Sequence, residues 1–228
     1  ASSRVLPGRR TAWDASSGVL PEPGVAVAVT PGKERVAQMR EEATRSIPDE
    51  PQSRPSRWTP EWRDALVSGV SSLLAGEQLP GAWVAGLGVP RFVHGQSQGI
   101  CDVFGARVEK QPDGNFYVQP LDGDAAAVDG VRARPVAGSM YWGAVEWVRY
   151  ARSSTRGRFA FRNPVMCGPL DIANYLLGTT RLMEWMYTEP ATVHRLMEKI
   201  TAVIIDMIRA VRDAAGGTLH ALHVACMA

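Results

Sequence analysis

The sequence predicts an α/β fold, either a doubly wound sheet or a (β/α) barrel. Three consecutive stretches carry this prediction. Residues 157–168 (GRFAFRNPVMCG) are typical of a buried strand, residues 190–215 repeat apolar side chains at helical spacing, and residues 218–228 (TLHALHVACMA) are again typical of a strand. Parallel neighbouring strands need a helical crossover of this kind. Periodicity favours neither architecture over the other.

Composition and charge are those of an ordinary globular protein. Of the 228 residues, 45% are hydrophobic and 21% are charged. The net charge of +2 is too small to predict binding to nucleic acid or to an anionic membrane surface. No uninterrupted apolar run reaches about 18 residues, so no membrane span is predicted.

The cysteines and the chain ends add two expectations. Cys101, Cys167 and Cys226 form an odd and widely spaced set, which predicts reduced thiols and a cytoplasmic location. The first residues lack both an initiator Met and the apolar core of a signal peptide. The last residues stop inside an apolar run, so the chain is expected to be a fragment.

The first part of the chain divides into an arm and a helix. Residues 1–57 are predicted to be an irregular N-terminal arm with a Pro-rich linker. Within it, residues 30–45 fit one short charged helix, but a solvated arm is favoured. A second domain is predicted over residues 58–228. It opens on a helix in which Thr59 is the N-cap and Pro60 occupies the first turn, and Gly76 ends this helix.

Further elements follow in order. Residues 81–89 are predicted as a short buried strand, and residues 106–121 as a hairpin around the Asp-Gly turn. Residues 122–137 are predicted to form a loop with one short strand, and residues 138–155 a helix capped by Ser139. Helical segments also follow residue 168, separated by a glycine at 178 and a proline at 190.

The turn after the strand 157–168 is a candidate site. Cys167, Gly168 and Pro169 lie where the strand ends and a helix begins, the position of catalytic loops in many α/β enzymes. Gly168 permits close approach to a ligand, and Asp171 and Tyr175 share one face of the helix. A packed turn without a ligand fits these residues equally well.

The loop RFVHGQSQG (91–99) is a second candidate. His94 is an acid or base suited to neutral pH, whereas Gln96 and Gln98 only donate and accept hydrogen bonds. An ordinary polar loop is the alternative, and it is somewhat favoured.

Metal and cofactor motifs are not evident. His220, His223 and Cys226 are metal-ligand types, but on a strand 223 points away from 220 and 226, which argues against a zinc site. Phosphate-loop, dinucleotide and nucleophile-elbow motifs do not occur. Five arginines occur close together in the sequence, and they are expected to form a binding site only if their side chains converge in the fold. They are Arg149, Arg152, Arg156, Arg158 and Arg162.

Two segments resemble the uroporphyrinogen decarboxylase superfamily. GPLDIANYLLGTTRLMEWMYTEPATVHRLMEKITAVIIDMIRAV (168–211) is similar to its central strand–turn–helix region, and HGQSQGICDVFGARVEKQPDG (94–114) to an earlier strand–loop–helix and hairpin. The resemblance covers about residues 60–228. It implies a truncated (β/α)8 TIM-type barrel lacking roughly its last third, with the site at the carboxyl ends of the strands.

The resemblance also implies candidate activities. One is a decarboxylase, a carbon–carbon lyase that acts without a cofactor on a carboxylated tetrapyrrole-type small molecule. Another is a zinc methyltransferase that works with a corrinoid protein, and a third is a non-catalytic ligand-binding relative. A homodimer is a further expectation. The zinc motif of the methyltransferases would lie beyond the end of this chain.

Site residues carry over only where the motifs match. Tyr175 matches the pocket tyrosine and Gly168-Pro169 the turn, while the catalytic aspartate of the decarboxylases falls near Gln96. The substrate-binding set is therefore predicted as His94, Gln96, Gln98, Gly168, Pro169 and Tyr175, with no catalytic residue assigned. The arginine motif that binds substrate carboxylates has no match in residues 1–57, and a neutral amide cannot stabilise a protonated pyrrole as a carboxylate does.

Overall fold

Two packed helices begin the structure, a computed structural model that describes residues 33–51, 55–77, 86–217, 219 and 224–225. Helix α1 spans Lys33–Ser46 and helix α2 spans Pro60–Glu77. They pack against each other and bury Ala43 and Ile47. The short charged helix therefore forms, and the favoured expectation of a solvated arm is wrong, because Ala43 on α1 and Ile47 just after it are buried where α1 packs on α2.

Helix α2 follows the predicted pattern. It starts directly after Thr59, and its side chains at helical spacing are buried, among them Trp62, Leu66 and Val70. The Trp62 ring lies 6.1 Å from the ring of Tyr150. This contact joins the N-terminal helix pair to the rest of the molecule, since Tyr150 belongs to the helix that packs on the sheet.

A parallel sheet positions the candidate site. Leu87 pairs with Phe161, and Phe161 pairs with Leu219, both in parallel. Farther along, strand β3 (Met166–Cys167) pairs in parallel with strand β4 (Val224–Ala225). The offset between partners is the same at Phe161–Leu219 and at β3–β4, so these pairs share one register. Three strands thus lie side by side in chain order, as βαβ units require.

The hairpin confirms its prediction, and it precedes the parallel strands β3 and β4 in the chain. Strands β1 (Arg107–Lys110) and β2 (Phe116–Gln119) are antiparallel. In the turn, Gln111 N–H donates to the Asn115 carbonyl at 2.7 Å, and the Asp113 carboxylate accepts from Asn115 N–H at 2.9 Å. An aspartate that accepts from the backbone two residues later is a typical turn interaction.

The segment after the hairpin differs from its prediction. Residues 125–129 form the short helix α3 (Ala125–Asp129), where the sequence predicted a loop with a strand. Asp124 caps this helix by accepting from Ala127 N–H at 2.9 Å. Asp129 then binds Arg195 at 2.6 Å. The prediction missed the helix because its stabilising partner lies far away in the sequence.

Four further helices follow in the described part of the chain. Ser139 caps the next helical segment as predicted, accepting from Trp142 N–H at 3.2 Å, and α4 (Gly143–Ser154) follows. After β3 come α5 (Pro169–Leu177), α6 (Thr179–Thr188) and α7 (Pro190–Ala214). Helices α4 and α7 pack together, and Phe161 of the sheet contacts Trp147 of α4 edge-on at 6.4 Å.

The architecture is α/β, with parallel strands in chain order and crossover helices that pack on one another. Such a βαβαβ arrangement is shared by a barrel and by half of a doubly wound sheet. Over the described ranges the strands do not close into a barrel. None of the helices described is long and apolar enough to cross a membrane.

Candidate functional site

The loop after the first parallel strand has an unusual backbone. A 3₁₀ turn, Arg91–Val93, leads into Gly95 (φ 68°) and Gln96 (φ 55°), and a longer 3₁₀ segment then spans Ser97–Phe104. Positive φ is uncommon for a residue with a side chain, and such strain is often found at ligand-binding sites. Gln96 is therefore held in a conformation that the surrounding packing must stabilise.

Two glycines allow that packing. A Cβ placed on Gly143 would lie 1.8 Å from the carbonyl oxygen of Val93, and one on Gly99 would lie 2.0 Å from that of His94. Both distances are far shorter than a van der Waals contact. The backbone of Val93 and His94 therefore rests directly on the first residue of α4 and on the 3₁₀ segment.

His94 stabilises the loop from inside. Its side chain is 1% exposed, its ring meets Tyr141 edge-on at 5.0 Å, and Nδ1 lies 3.4 Å from the carbonyl oxygen of Gln96. Burial lowers the pKa of His94 to about 4, although the Gln96 carbonyl favours the charged form. His94 is therefore neutral at pH 7, which disfavours the acid–base role that the sequence suggested for it.

A buried hydrogen bond joins the two candidate loops. Cys167 N–H, at the end of β3, donates to Ser97 Oγ at 3.1 Å. Ser97 is only 6% exposed, and helix α5 packs against the 3₁₀ segment that Ser97 begins. This hydrogen bond fixes the loop after the first parallel strand relative to the carboxyl end of β3.

Replacing this serine tests the link. Ser97→Ala is expected to lower the free energy of unfolding by about 1–2 kcal/mol, because the buried Cys167 N–H loses its hydroxyl acceptor. Urea unfolding followed by circular dichroism measures the change. Ser72→Ala is the matched control, since Ser72 is exposed and bonds only within its own helix. Equal effects of the two substitutions would contradict the assigned link.

Phenol and thiol groups surround this link. Cys101 and Tyr141 are fully buried and Cys167 is 7% exposed, while Tyr175 is half-buried beside the Cys167 thiol. Burial, and next the neighbouring Cys167, raises the pKa of Tyr175 to about 12. Burial likewise raises the pKa values of Cys101 and Tyr141. These three groups stay protonated at neutral pH, so they supply no general base.

One cation lies on the sheet itself. Arg162 is exposed, and its guanidinium lies over Gly88 of the neighbouring strand, 2.7 Å from where a Cβ would be. Phe161, the residue before it, is buried against α4, so Arg162 projects from the opposite face of the sheet. Among the residues that the structure describes, no carboxylate pairs with Arg162.

Two polar residues near the site were missed by the sequence prediction. Asn163 is 4% exposed and donates to the Pro164 carbonyl at 2.8 Å, while its Oδ1 has no partner in the described structure. Asp102 accepts from Met140 N–H at 2.6 Å, and burial raises the pKa of its carboxyl. Both lie inside quoted stretches of the sequence, yet their burial follows from tertiary contacts alone.

The structure brings the predicted residues onto adjacent elements. His94 and Gln96 precede the 3₁₀ segment and Gln98 lies within it, while α5, which packs against this segment, carries Pro169 and Tyr175. Gly168 is the N-cap of α5 with extended backbone, and Pro169 is its first residue. The remaining candidates, His220, His223 and Cys226, lie outside the described residues.

The chemistry of the described groups does not suit a zinc ion. Cys101 and Cys167 are near neighbours, but no third histidine, cysteine or carboxylate joins them in the ranges that can be described. A protein zinc site takes three or four such ligands.

The family assignment follows from sequence comparison. The family model Uroporphyrinogen decarboxylase (URO-D) matches residues 101–222, which is more than half of the chain. The chain belongs to the uroporphyrinogen decarboxylase family. This confirms the resemblance found in the sequence. Within the matched segment lie β3 and the whole of α5, including Gly168, Pro169 and Tyr175, whereas the loop at 94–98 precedes it.

A solved structure shares the fold. A methyltransferase from Methanosarcina mazei superposes with a TM-score of 0.54 at 14% sequence identity, covering 87% of this chain and 52% of its own. The chain thus spans about half the length of that methyltransferase. Comparison with curated proteins finds no match. The structural similarity of this uroporphyrinogen decarboxylase family member to the methyltransferase covers more of the chain than the family model does.

Proposed function

We propose that this chain forms part of a (β/α)8 barrel enzyme, a decarboxylase-like carbon–carbon lyase for a carboxylated, tetrapyrrole-type substrate. The substrate lies over the face of the sheet from which Arg162 projects. The two joined loops, 94–98 and 167–169, border this space at the carboxyl ends of the strands. Membership of the family and the position of these loops support the proposal.

Arg162 is the observation that carries the proposal. Inside a closed barrel, an arginine on the inner face of the sheet needs a negative partner, because an unpaired buried charge is costly. A substrate carboxylate fits, since the guanidinium presents a planar fork of donors. Gly88 leaves room for this side chain, and a larger residue there would collide with it.

The neutral groups complement the rest of such a substrate. Gln98 has a buried Oε1 without a partner in the described structure, and this oxygen accepts from a pyrrole N–H. Tyr175, protonated at neutral pH, donates to a carboxylate. Gln96 adds an amide at the edge of the loop. All three bind without changing their own charge, which fits a role in orienting the substrate.

Decarboxylation needs no cofactor in this proposal. The bond between the side-chain carbon and its carboxylate breaks, carbon dioxide leaves, and the electron pair passes into the pyrrole ring, which has first been protonated. The side-chain carbon then takes up a proton and the ring releases the one it first accepted, so the pyrrole is restored and one proton has replaced carbon dioxide. The residues of this chain bind the remaining carboxylates and shield the reacting group from water.

Removing the cation tests the proposal. In the full-length protein, Arg162→Ala is expected to lower kcat/KM for uroporphyrinogen about 10- to 100-fold, mainly through KM, because a charge-assisted pair of hydrogen bonds is lost. Arg162→Lys keeps the charge without the fork and should fall in between. Product is measured by chromatography of the oxidised porphyrins.

The matched control is another arginine of the same strand region. Arg158→Ala removes a side chain that stacks on Phe159, 5.2 Å from its ring, and should leave kcat/KM unchanged. Folded wild-type protein that gives no product above background would refute decarboxylation. Equal losses in the Arg158 and Arg162 variants would refute the assigned role of Arg162.

Methyl transfer is the second candidate, favoured by the fold shared with a methyltransferase. It predicts that the full-length protein binds zinc through residues outside those described and works with a corrinoid protein. Zinc content measured after dialysis, together with methylcobalamin consumption, distinguishes the two activities. A protein that binds the porphyrinogen and shows neither activity would be the non-catalytic relative.

A further inference from the structure

Three arginines line one cavity at the opposite end of the sheet from the candidate site. Arg149, Arg152 and Arg156 line an open cavity of about 280 Å³ together with Ser153, Gly157 and Ala214. The first two lie one turn apart on α4, and the third lies two residues past its end. Gly157 comes just before the strand that contains Phe161, so the cavity lies at the amino end of that strand.

No negative charge accompanies these arginines. The residues that line the cavity include no carboxylate, and none of the ion pairs in the described ranges uses Arg149, Arg152 or Arg156. Arg149 instead stacks on Trp142, with its guanidinium carbon 5.5 Å from the ring centre. Like charges that share one cavity repel each other, and an anion between them removes that repulsion.

Favourable helix-end electrostatics accounts for only part of the cluster. A cation in the last turn of a helix interacts favourably with the helix dipole, and Arg152 occupies that turn of α4. Arg149 lies a turn earlier. Arg156 lies past the end with a φ of 52°, an uncommon conformation for a residue with a side chain. The dipole therefore leaves two of the three charges unexplained.

The position of Arg152 is constrained by the neighbouring helix end. Its guanidinium lies against Gly216, 2.8 Å from where a Cβ would be, and Gly216 has a φ of 91° just after α7. The cavity is thus lined from two crossover helices that pack together. An arginine placed in this way loses less conformational entropy when it binds a ligand.

We infer that this cavity binds a small phosphate-bearing anion of about the size of a diphosphate. Arg152 and Arg156 offer two separate forks of donors, and Arg149 adds a third positive charge to the lining. A diphosphate has oxygens on two phosphorus atoms to receive two forks, whereas a carboxylate has a single pair of oxygens. The cavity approaches the lower limit of volumes found for small-molecule sites. The near-neutral net charge of the chain favours a local small ligand over nucleic acid. The inference is independent of the proposed function.

Titration with inorganic pyrophosphate tests the inference on the full-length protein. In about 0.15 M NaCl, isothermal calorimetry should show saturable binding to one site. Arg152→Ala and Arg156→Ala should each weaken binding at least about tenfold, because each removes a charge-assisted contact. Arg152→Lys should weaken it less than Arg152→Ala. Melting temperatures measured without ligand check that the variants fold. Arg156→Ala is the variant least coupled to packing, because Arg156 lies past the end of the helix.

The control is Arg209→Ala. Arg209 lies exposed on α7 and pairs with Asp206 at 3.6 Å, so its removal should leave the dissociation constant unchanged. The inference is overturned if pyrophosphate shows no saturable binding, or if Arg209→Ala weakens binding as much as Arg152→Ala. Tighter binding of citrate than of pyrophosphate at equal ionic strength would also overturn it.

Discussion

Gly143→Ala is expected to destabilise the protein by about 3 kcal/mol, because a single methyl group cannot be accommodated at the start of α4. The added Cβ would lie 1.8 Å from the carbonyl oxygen of Val93 and 2.9 Å from its carbonyl carbon. Backbone atoms cannot turn aside as the end of a side chain can. Urea unfolding followed by circular dichroism measures the loss, and it should far exceed the small gain that alanine brings to a helix.

The consequence extends to the candidate site. Relief of the collision requires Val93 and His94 to move away from α4, and these residues lead directly into the positive-φ turn at Gln96. Any activity of the full-length protein should therefore fall together with its stability.

Gly130→Ala is the matched control for this substitution. Gly130 follows α3 with φ −71°, and the nearest atoms to its added Cβ lie at 3.4 Å, an ordinary contact. Its effect should stay within about 0.5 kcal/mol. Similar losses for both glycines would show that the loop at Val93 yields easily, and the explanation by close approach would then be wrong.

Acidification is expected to remove about 3 kcal/mol of stability through His94 alone. The pKa of His94 falls from 6.5 to about 4 on folding. Between these two values the unfolded chain binds a proton that the folded chain excludes, so stability is fully present above pH 6.5 and declines as the pH falls toward 4. Each pH unit in this window changes the free energy of unfolding by up to about 1.4 kcal/mol.

A substitution isolates this contribution from that of other groups. His94→Asn keeps a short donor near the Gln96 carbonyl and removes the titrating ring, so the fall in stability between pH 7 and pH 4.5 should become smaller by about 2–3 kcal/mol. The measurement is urea unfolding at both pH values. Asp102 works in the opposite direction, because its raised pKa favours the folded state at low pH, and it is unchanged in both proteins.

His194→Asn serves as the control, since His194 is exposed on α7. It should keep the pH dependence of the wild type. If His94→Asn shows the wild-type pH dependence as well, then His94 is protonated in the folded protein, and its assigned role as a buried neutral partner of Gln96 fails.

Local patterns in the sequence were sufficient for most elements of the fold. Helix α2 begins where Thr59 and Pro60 predict, the hairpin turns at the Asp-Gly pair, and Ser139 caps the segment before α4. Capping, turn geometry and apolar spacing act over a few residues, and the sequence displays them directly. The short helix α3 and the packing of α1 on α2 were not predicted, because each depends on partners remote in the chain.

The candidate site was predicted only in part. The turn at Gly168-Pro169 and the helix carrying Tyr175 were recognised from the strand-to-helix pattern and the family resemblance. Neither source indicated that Cys167 N–H binds Ser97, or that His94 is too deeply buried to titrate near pH 7. The long separation of these residues leaves no local pattern to detect.

By itself, the sequence determined the α/β class, the order of the elements, and the family, because these depend on periodicity and on short motifs. Tertiary structure alone decided which charges meet. Of the five arginines noted in the sequence, three line one cavity, Arg158 stacks on Phe159, and Arg162 projects from the open face of the sheet. Spacing along a chain sets the face of a helix or strand that a side chain occupies, whereas the neighbour it meets there depends on how the elements pack.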